Sequence, residues 1–161
     1  SNGYALARKV LLEQAGLSLG DRLAGLGGAT LGAEMLRPTR IYVPEVLPLR
    51  ERFTIKGMAH ITGGGLPGNL PRILPEGLQA VIDEGSWEIP PIFRLVEREG
   101  PVKREEMYRT FNMGIGYTLV LPPGEAPQAV ALLEEAGVPA FAIGRIEPLE
   151  AVSASRVRID Q

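Results

Sequence analysis

The sequence predicts an α/β (α+β) fold, a mixed β-sheet covered by helices, and three observations predict it. Short apolar runs such as "LQAVID" and "YTLVLP" alternate with longer segments whose apolar residues recur every three or four positions. Prolines stand at the starts of several longer segments and glycines at their ends, the asymmetry expected of helix entry and exit. The 161 residues show no internal repeat and suffice for one substantial core, so residues 1–161 are read as a single domain.

Each element follows from its own residues. Ser1 or Asn2 is placed to cap a helix running through Gln14, because both side chains accept backbone N–H bonds. Leu6, Val10, Leu11 and Leu12 form its apolar stripe, and Gly16 ends it. Leu17 to Ala33 carries five glycines without periodicity and reads as a long loop. "PTRIYVPEVLPLRERF" opens with a turn and a short extended piece. Pro44 suits the first turn of a following helix that reaches Phe53, although Pro48 removes one of its hydrogen bonds. "FTIKGMAHI" predicts a strand feeding Gly63-Gly64-Gly65, and "LPGNLPRIL" a short helix broken by prolines. "LQAVID" reads as a buried strand, "PPIFRLVEREG" as a helix and "VKREEMYRTF" as a shorter one. "GIGYTLVLP" is apolar nearly throughout, so both faces of that strand are expected to be covered. "EAPQAVALLEEAG" is an amphipathic helix ended by Gly137, and "AFAIGRIE" and "SRVRID" close the chain as strands.

Composition removes several function classes. A net charge of -2 argues against a nucleic-acid partner, which calls for a basic patch. The apolar runs are too short to span a bilayer. The absence of cysteine excludes disulfides and thiolate metal sites and fits a cytoplasmic protein. One histidine leaves no basis for a histidine metal site, so no metal ligands are assigned. The phosphate-loop pattern and the Gly-x-Ser-x-Gly elbow are both absent. Gly25-Leu26-Gly27 imitates a dinucleotide loop but follows no strand. Trp87 and Phe93 are read as packing residues, and Glu97 to Glu99, Glu134 and Glu135 as solvated charge.

Three stretches remain as candidate sites. Thr62-Gly63-Gly64-Gly65 follows a strand and precedes a helix, the place where α/β sheets collect ligands. Glycines let backbone N–H groups approach an anion, and Asn69 and Arg72 lie one turn further along as possible donors. A flexible turn beside a satisfied His60 accounts for the same residues equally well. Asn112-Met113-Gly114 joins a helix to a strand and is either a close ligand approach or a helix end. Ser1-Asn2-Gly3 is the third, with a plain helix cap as the stronger reading from the residues alone.

The blocks "SNGYALARKVL", "LRPTRIYV", "AHITGGGLPGNLPRILP", "GSWEIPPIFRLV" and "EEMYRTFNMGIGY", in this order, resemble the C-terminal half of the phosphoribosylformylglycinamidine cyclo-ligases, also called aminoimidazole ribonucleotide synthetases. The blocks run from Ser1 to about Val120, and the order of elements continues the likeness beyond. The resemblance implies an ATP-dependent ligase of purine biosynthesis. In that reaction ATP activates the formyl amide oxygen of formylglycinamidine ribonucleotide. A substrate nitrogen then displaces phosphate and closes the imidazole ring, giving aminoimidazole ribonucleotide, ADP and phosphate. It further implies an N-terminal domain, missing from this chain, that carries most of the ATP and Mg2+ chemistry and the homodimer contact. The fragment alone is accordingly expected to be inactive. Ser1, Asn2 and Gly3 would face the missing domain, His60 to Gly65 would form a second wall, and Asn112, Met113 and Gly114 would lie nearby. Thr62, Gly63, Gly64, Gly65, Asn69 and Arg72 would bind substrate or phosphate, and His60 would hydrogen-bond the substrate or move a proton. The family's first block normally has a histidine just before Ser1, and that departure weighs with the missing domain; two others are mild, Gly68, where the family often has an acidic residue, and Tyr117, where it often has methionine. A related superfamily small-molecule kinase and a non-catalytic phosphate-ligand module are the alternatives.

Overall fold

Two small sheets, rather than one, form the β-layer of the computed structural model, which describes residues 2–149 and 155–160. Strand β1 (Gly57–His60) pairs antiparallel with β3 (Tyr117–Val120), bringing His60 opposite Tyr117. Strand β2 (Leu78–Asp83) runs antiparallel to β4 (Gly144–Pro148) and parallel to β5 (Val157–Asp160), so this second sheet is mixed. Ala80, Val81 and Ile82 of β2 are buried, as its continuous apolar run requires.

The N-terminal helix forms as α1 (Tyr4–Arg8) and continues as a π-helical run over Lys9–Gln14. The expected side-chain cap does not. Gly3 occupies the cap position at φ 81°, a left-handed backbone that glycine adopts without penalty. A Cβ at Gly3 would overlap the Phe111 ring. Ser1 lies outside the described residues. The glycine-rich loop is more ordered than its composition suggests. It contains a 3-10 turn at Ala24–Leu26, an Arg22–Thr30 bridge and a short helix α2 (Leu31–Met35). Thr30 caps α2, its hydroxyl accepting from the Ala33 N–H at 3.2 Å.

Helix α3 (Val43–Arg52) carries Pro44 in its first turn and tolerates Pro48 inside. Residues 37–42 before it form no strand, and Tyr42 leads into the helix at φ -93°, ψ -8°. Helix α4 (Gly65–Asn69) passes into a 3-10 turn at Leu70–Ile73, and α5 (Pro91–Glu99), α6 (Arg104–Thr110) and α7 (Ala126–Glu135) follow. Leu11, Leu31, Leu66 and Met107 are fully enclosed in the core that joins these helices. Each such side chain contributes about 1.5–3 kcal/mol by leaving water.

Strand β3 departs from expectation. Thr118 is buried, but Tyr117, Leu119 and Val120 are only half-buried. The reason is topological: β3 is one of only two strands in its sheet and borders an apolar cavity of about 430 Å³ shared with α7 and β4.

A polar clamp closes the other side of the domain. Arg104 of α6 pairs with Glu84, in a 3-10 turn after β2, and with Glu97 of α5 at 2.6 Å. The Tyr108 hydroxyl donates to Glu84 Oε1 at 2.5 Å, and the Arg104 guanidinium lies 5.6 Å from the Tyr108 ring centre. Burial, reinforced by the Glu84 carboxylate, raises the Tyr108 phenol above its usual range.

Candidate functional site

A cleft of about 300 Å³ opens where five separate sequence blocks meet. Asn2 before α1, the Arg37–Tyr42 turn, His60 to Thr62 after β1, and Asn112 to Gly116 before β3 all reach it. Phe93, Phe111 and Ile92 form an apolar floor, with Phe93 and Phe111 ring centres 5.3 Å apart. The cleft therefore offers a dry base and a polar rim, the usual make-up of a small-molecule site.

Of the residues singled out in the sequence, Asn2, His60, Thr62, Asn112 and Gly114 line this cleft. His60 is exposed at the end of β1, not a satisfied core residue. Its imidazole sits against Tyr42 and Tyr117, at ring-centre distances of 5.7 and 6.2 Å. Asn2 reaches across to the glycine turn, where its Oδ1 would lie 3.5 Å from a Cβ at Gly63.

The glycines themselves do different work. The Gly65 N–H donates to the Thr62 carbonyl at 2.9 Å, closing a tight turn. Gly64 and Gly65 have φ of 96° and 56°. A Cβ at Gly65 would overlap the Tyr108 carbonyl and crowd that of Phe111. Gly65 thus lets α4 seat directly on the end of α6. Helix α4 spans only five residues, so its macrodipole adds little to anion binding.

Asn69 is 4% exposed and points inward. Its Nδ2 donates to the carbonyls of Gly65 at 2.8 Å, Thr62 at 3.2 Å and Gly63 at 3.3 Å, which fixes the shape of the turn. Arg72 is exposed on the 3-10 turn and is not among the residues lining the cleft. Met113 is fully buried at φ 53°, and Trp87 donates to its carbonyl at 2.9 Å. The Asn112 side chain accepts from the Gly114 N–H at 3.0 Å, shaping the second loop. Gly3 packs on Phe111 and ties the first block to that same loop.

Reading the sequence by motif missed the cations. Arg37 and Arg40 both line the cleft, on the turn between α2 and α3. Arg37 pairs with Glu34 at 2.5 Å and Arg40 with Glu45 at 2.8 Å. The Arg40 hydrogen bond holds the Glu45 carboxyl below its usual range. Both arginine side chains are solvent-exposed, whereas their carboxylate partners are largely buried. The signal was present in "LRPTRIYV", where two arginines flank Pro38-Thr39. Among the described residues no three His, Cys, Asp or Glu side chains gather as a metal site. None of the described helices is long and apolar enough to cross a membrane.

A family model described as "AIR synthase related protein, C-terminal domain" matches residues 1–155. A phosphoribosylformylglycinamidine cyclo-ligase of Anaeromyxobacter sp. (strain Fw109-5) is 54% identical over 147 residues, covering 91% of this chain and 42% of the relative. Another, of Citrifermentans bemidjiense, is 49% identical over 151 residues, covering 94% of this chain and 43% of the relative. The chain therefore spans a little over two fifths of such relatives. Among solved structures, thiamine-monophosphate kinase from Stenotrophomonas maltophilia K279a matches with a TM-score of 0.65 at 21% identity, over 99% of this chain and 48% of that one. That likeness is one of fold.

Proposed function

The chain belongs to the family of AIR synthase related C-terminal domains, and from that premise we propose that it supplies one wall of the active site of an ATP-dependent phosphoribosylformylglycinamidine cyclo-ligase. The observation that carries the reading is the cleft itself, in which Asn2, His60, Thr62 and Asn112 converge from distant blocks beside Arg37 and Arg40. The names of relatives about half identical supply the reaction. The substrate is formylglycinamidine ribonucleotide. ATP phosphorylates its formyl amide oxygen, a substrate nitrogen attacks that carbon, and phosphate leaves as the imidazole ring closes.

Such a reaction asks the protein chiefly to hold phosphates and orient the reacting atoms. Arg37 and Arg40 supply cationic donors for the ribonucleotide phosphate. The Thr62 hydroxyl and Asn2 amide supply neutral donors on the opposite rim. His60 is placed to hydrogen-bond the substrate or to carry the proton that leaves the attacking nitrogen. The described residues hold no carboxylate cluster suited to magnesium, so Mg2+ and most ATP contacts fall to an N-terminal domain of the same polypeptide. That domain would also carry the homodimer contact, and the assembly would work in the cytoplasm. Exposed Leu36, Ile41, Val43 and Leu47 sit on and beside the arginine turn and give the partner domain an apolar surface next to the cleft.

The test is ADP release dependent on formylglycinamidine ribonucleotide, measured in the polypeptide that joins this chain to its N-terminal domain. His60→Ala is expected to lower kcat by about 100-fold or more, the typical worth of a positioned acid or base. Arg40→Ala is expected to act mainly on KM. Undiminished turnover in both variants would remove the cleft from the reaction.

A further inference from the structure

Tyr42, His60 and Tyr117 come from three distant parts of the chain and meet as one aromatic cluster. Strand pairing sets His60 opposite Tyr117, their rings inclined at 28°. That pairing alone leaves an exposed imidazole free to turn away from its neighbour. Tyr42 closes the remaining side, edge-on to His60 at 62° and 5.2 Å from the Tyr117 ring centre.

The placement of Tyr42 is itself determined. Its hydroxyl lies against Gly116, where any Cβ would overlap the Tyr42 oxygen and crowd the adjoining ring carbon. Gly116 is not among the residues of positive φ, so its backbone does not call for glycine. The room it leaves for Tyr42 is what calls for it. Gly116 is also fixed to the segment it serves, since the Ile61 N–H, next after His60, donates to the Gly116 carbonyl at 2.9 Å. On the other flank the Arg40–Glu45 pair brackets Tyr42 at 2.8 Å and steadies the turn that carries it. Tyr42 and Gly116 both line the polar cleft and the apolar cavity behind it, so the ring is part of the partition between them.

We infer that Tyr42 is a positioning residue that sets the His60 imidazole in the cleft, and that position 116 is glycine in order to admit it. The inference deepens the reading of the cleft as a substrate site and rests on it for its functional consequence. The geometric part stands separately, and the experiment keeps the two apart. His60 is the only histidine of the 161-residue chain, so its ring protons give one resolved NMR reporter. Tyr42→Ala and Gly116→Ala should each displace that resonance, and Tyr42→Phe should leave it in place. Thermal unfolding of the double variant covers the case in which Gly116→Ala fails to fold. An alanine at 116 should be severely destabilising with Tyr42 present and nearly neutral with Tyr42→Ala, the non-additivity expected of two residues in contact. An unmoved His60 resonance in folded variants, or equal harm from Gly116→Ala in both backgrounds, would overturn the inference. In the two-domain polypeptide, Tyr42→Ala should lower kcat by about 100-fold, the scale of a misplacement near 1 Å, and Tyr42→Phe should recover most of it. A displaced His60 with kcat unchanged would refute the cleft's catalytic reading while leaving the geometry intact.

Discussion

Two glycine-rich regions of this chain look alike in composition and differ in what surrounds them. Of the five glycines between Leu17 and Ala33, only Gly32 is crowded, by the Leu19 carbonyl; Gly20, Gly25, Gly27 and Gly28 have nothing within 4 Å of where a Cβ would stand. In the segments that lead into and out of the cleft, a Cβ on Gly65 would run into the Tyr108 carbonyl, and one on Gly116 into the Tyr42 hydroxyl. The loop glycines serve local turns. Gly65 and Gly116 are contact surfaces, cut to the shape of another part of the chain. Glycine count is thus a poor guide to function, and the neighbour each glycine meets is a good one.

The largest expected effect separates the two regions directly. Gly65→Ala should destabilise the chain by more than about 3 kcal/mol, because overpacking of roughly 1–3 kcal/mol adds to the strain of a positive φ. A urea midpoint equal to that of the parent would break the comparison. Asn69→Ala should cost about 1–3 kcal/mol by leaving the turn carbonyls without their donor. Thermal melting checks it, and an unchanged midpoint would show that the glycine turn holds its shape unaided.

A smaller effect comes through the surface on which Gly65 sits. The Tyr108 phenol is raised in the folded state, so its contribution is present below about pH 10 and lost as pH rises through the raised value. Denaturant titrations should show stability falling at alkaline pH, and less steeply in Tyr108→Phe. Equal slopes would detach the clamp from the packing of α6. The smallest effect belongs to the loop. Gly25→Ala should change stability by no more than about 0.5 kcal/mol, as for other surface changes. A loss of several times that would place the loop with the cleft.

The fold was legible where period and punctuation agreed. "PPIFRLVEREG" and "LQAVID" became α5 and β2 almost as read, because a proline start, a glycine end and an apolar run each point one way. The division of the sheet was hidden, since which strands pair depends on contacts dozens of residues apart. Helix α2 was hidden too, as five glycines outweighed the Thr30 cap. At the site, the residues mark "AHITGGG" and "FNMGIGY" as places of interest, and His60 to Thr62 with Asn112, Gly114 and Gly116 do line one cleft, so that much was legible. The use of their residues was not: an inward Asn69 or a packed Gly65 follows from tertiary neighbours, which spacing does not encode. Arg37 and Arg40 sat in a block that carried the family likeness, yet two arginines in a polar turn look like any solvated charge until a cleft is seen beside them.

The β1–β3 ribbon has a consequence for how the molecule assembles. Each strand is four residues long, and the two pair across about sixty residues of chain. A two-stranded ribbon has little independent stability, and closing so long a loop precedes any reward from its contacts. The helices gain their bonds locally. In refolding, helical circular dichroism should therefore recover before the His60 proton resonance does, so that the cleft comes into being after the helices around it.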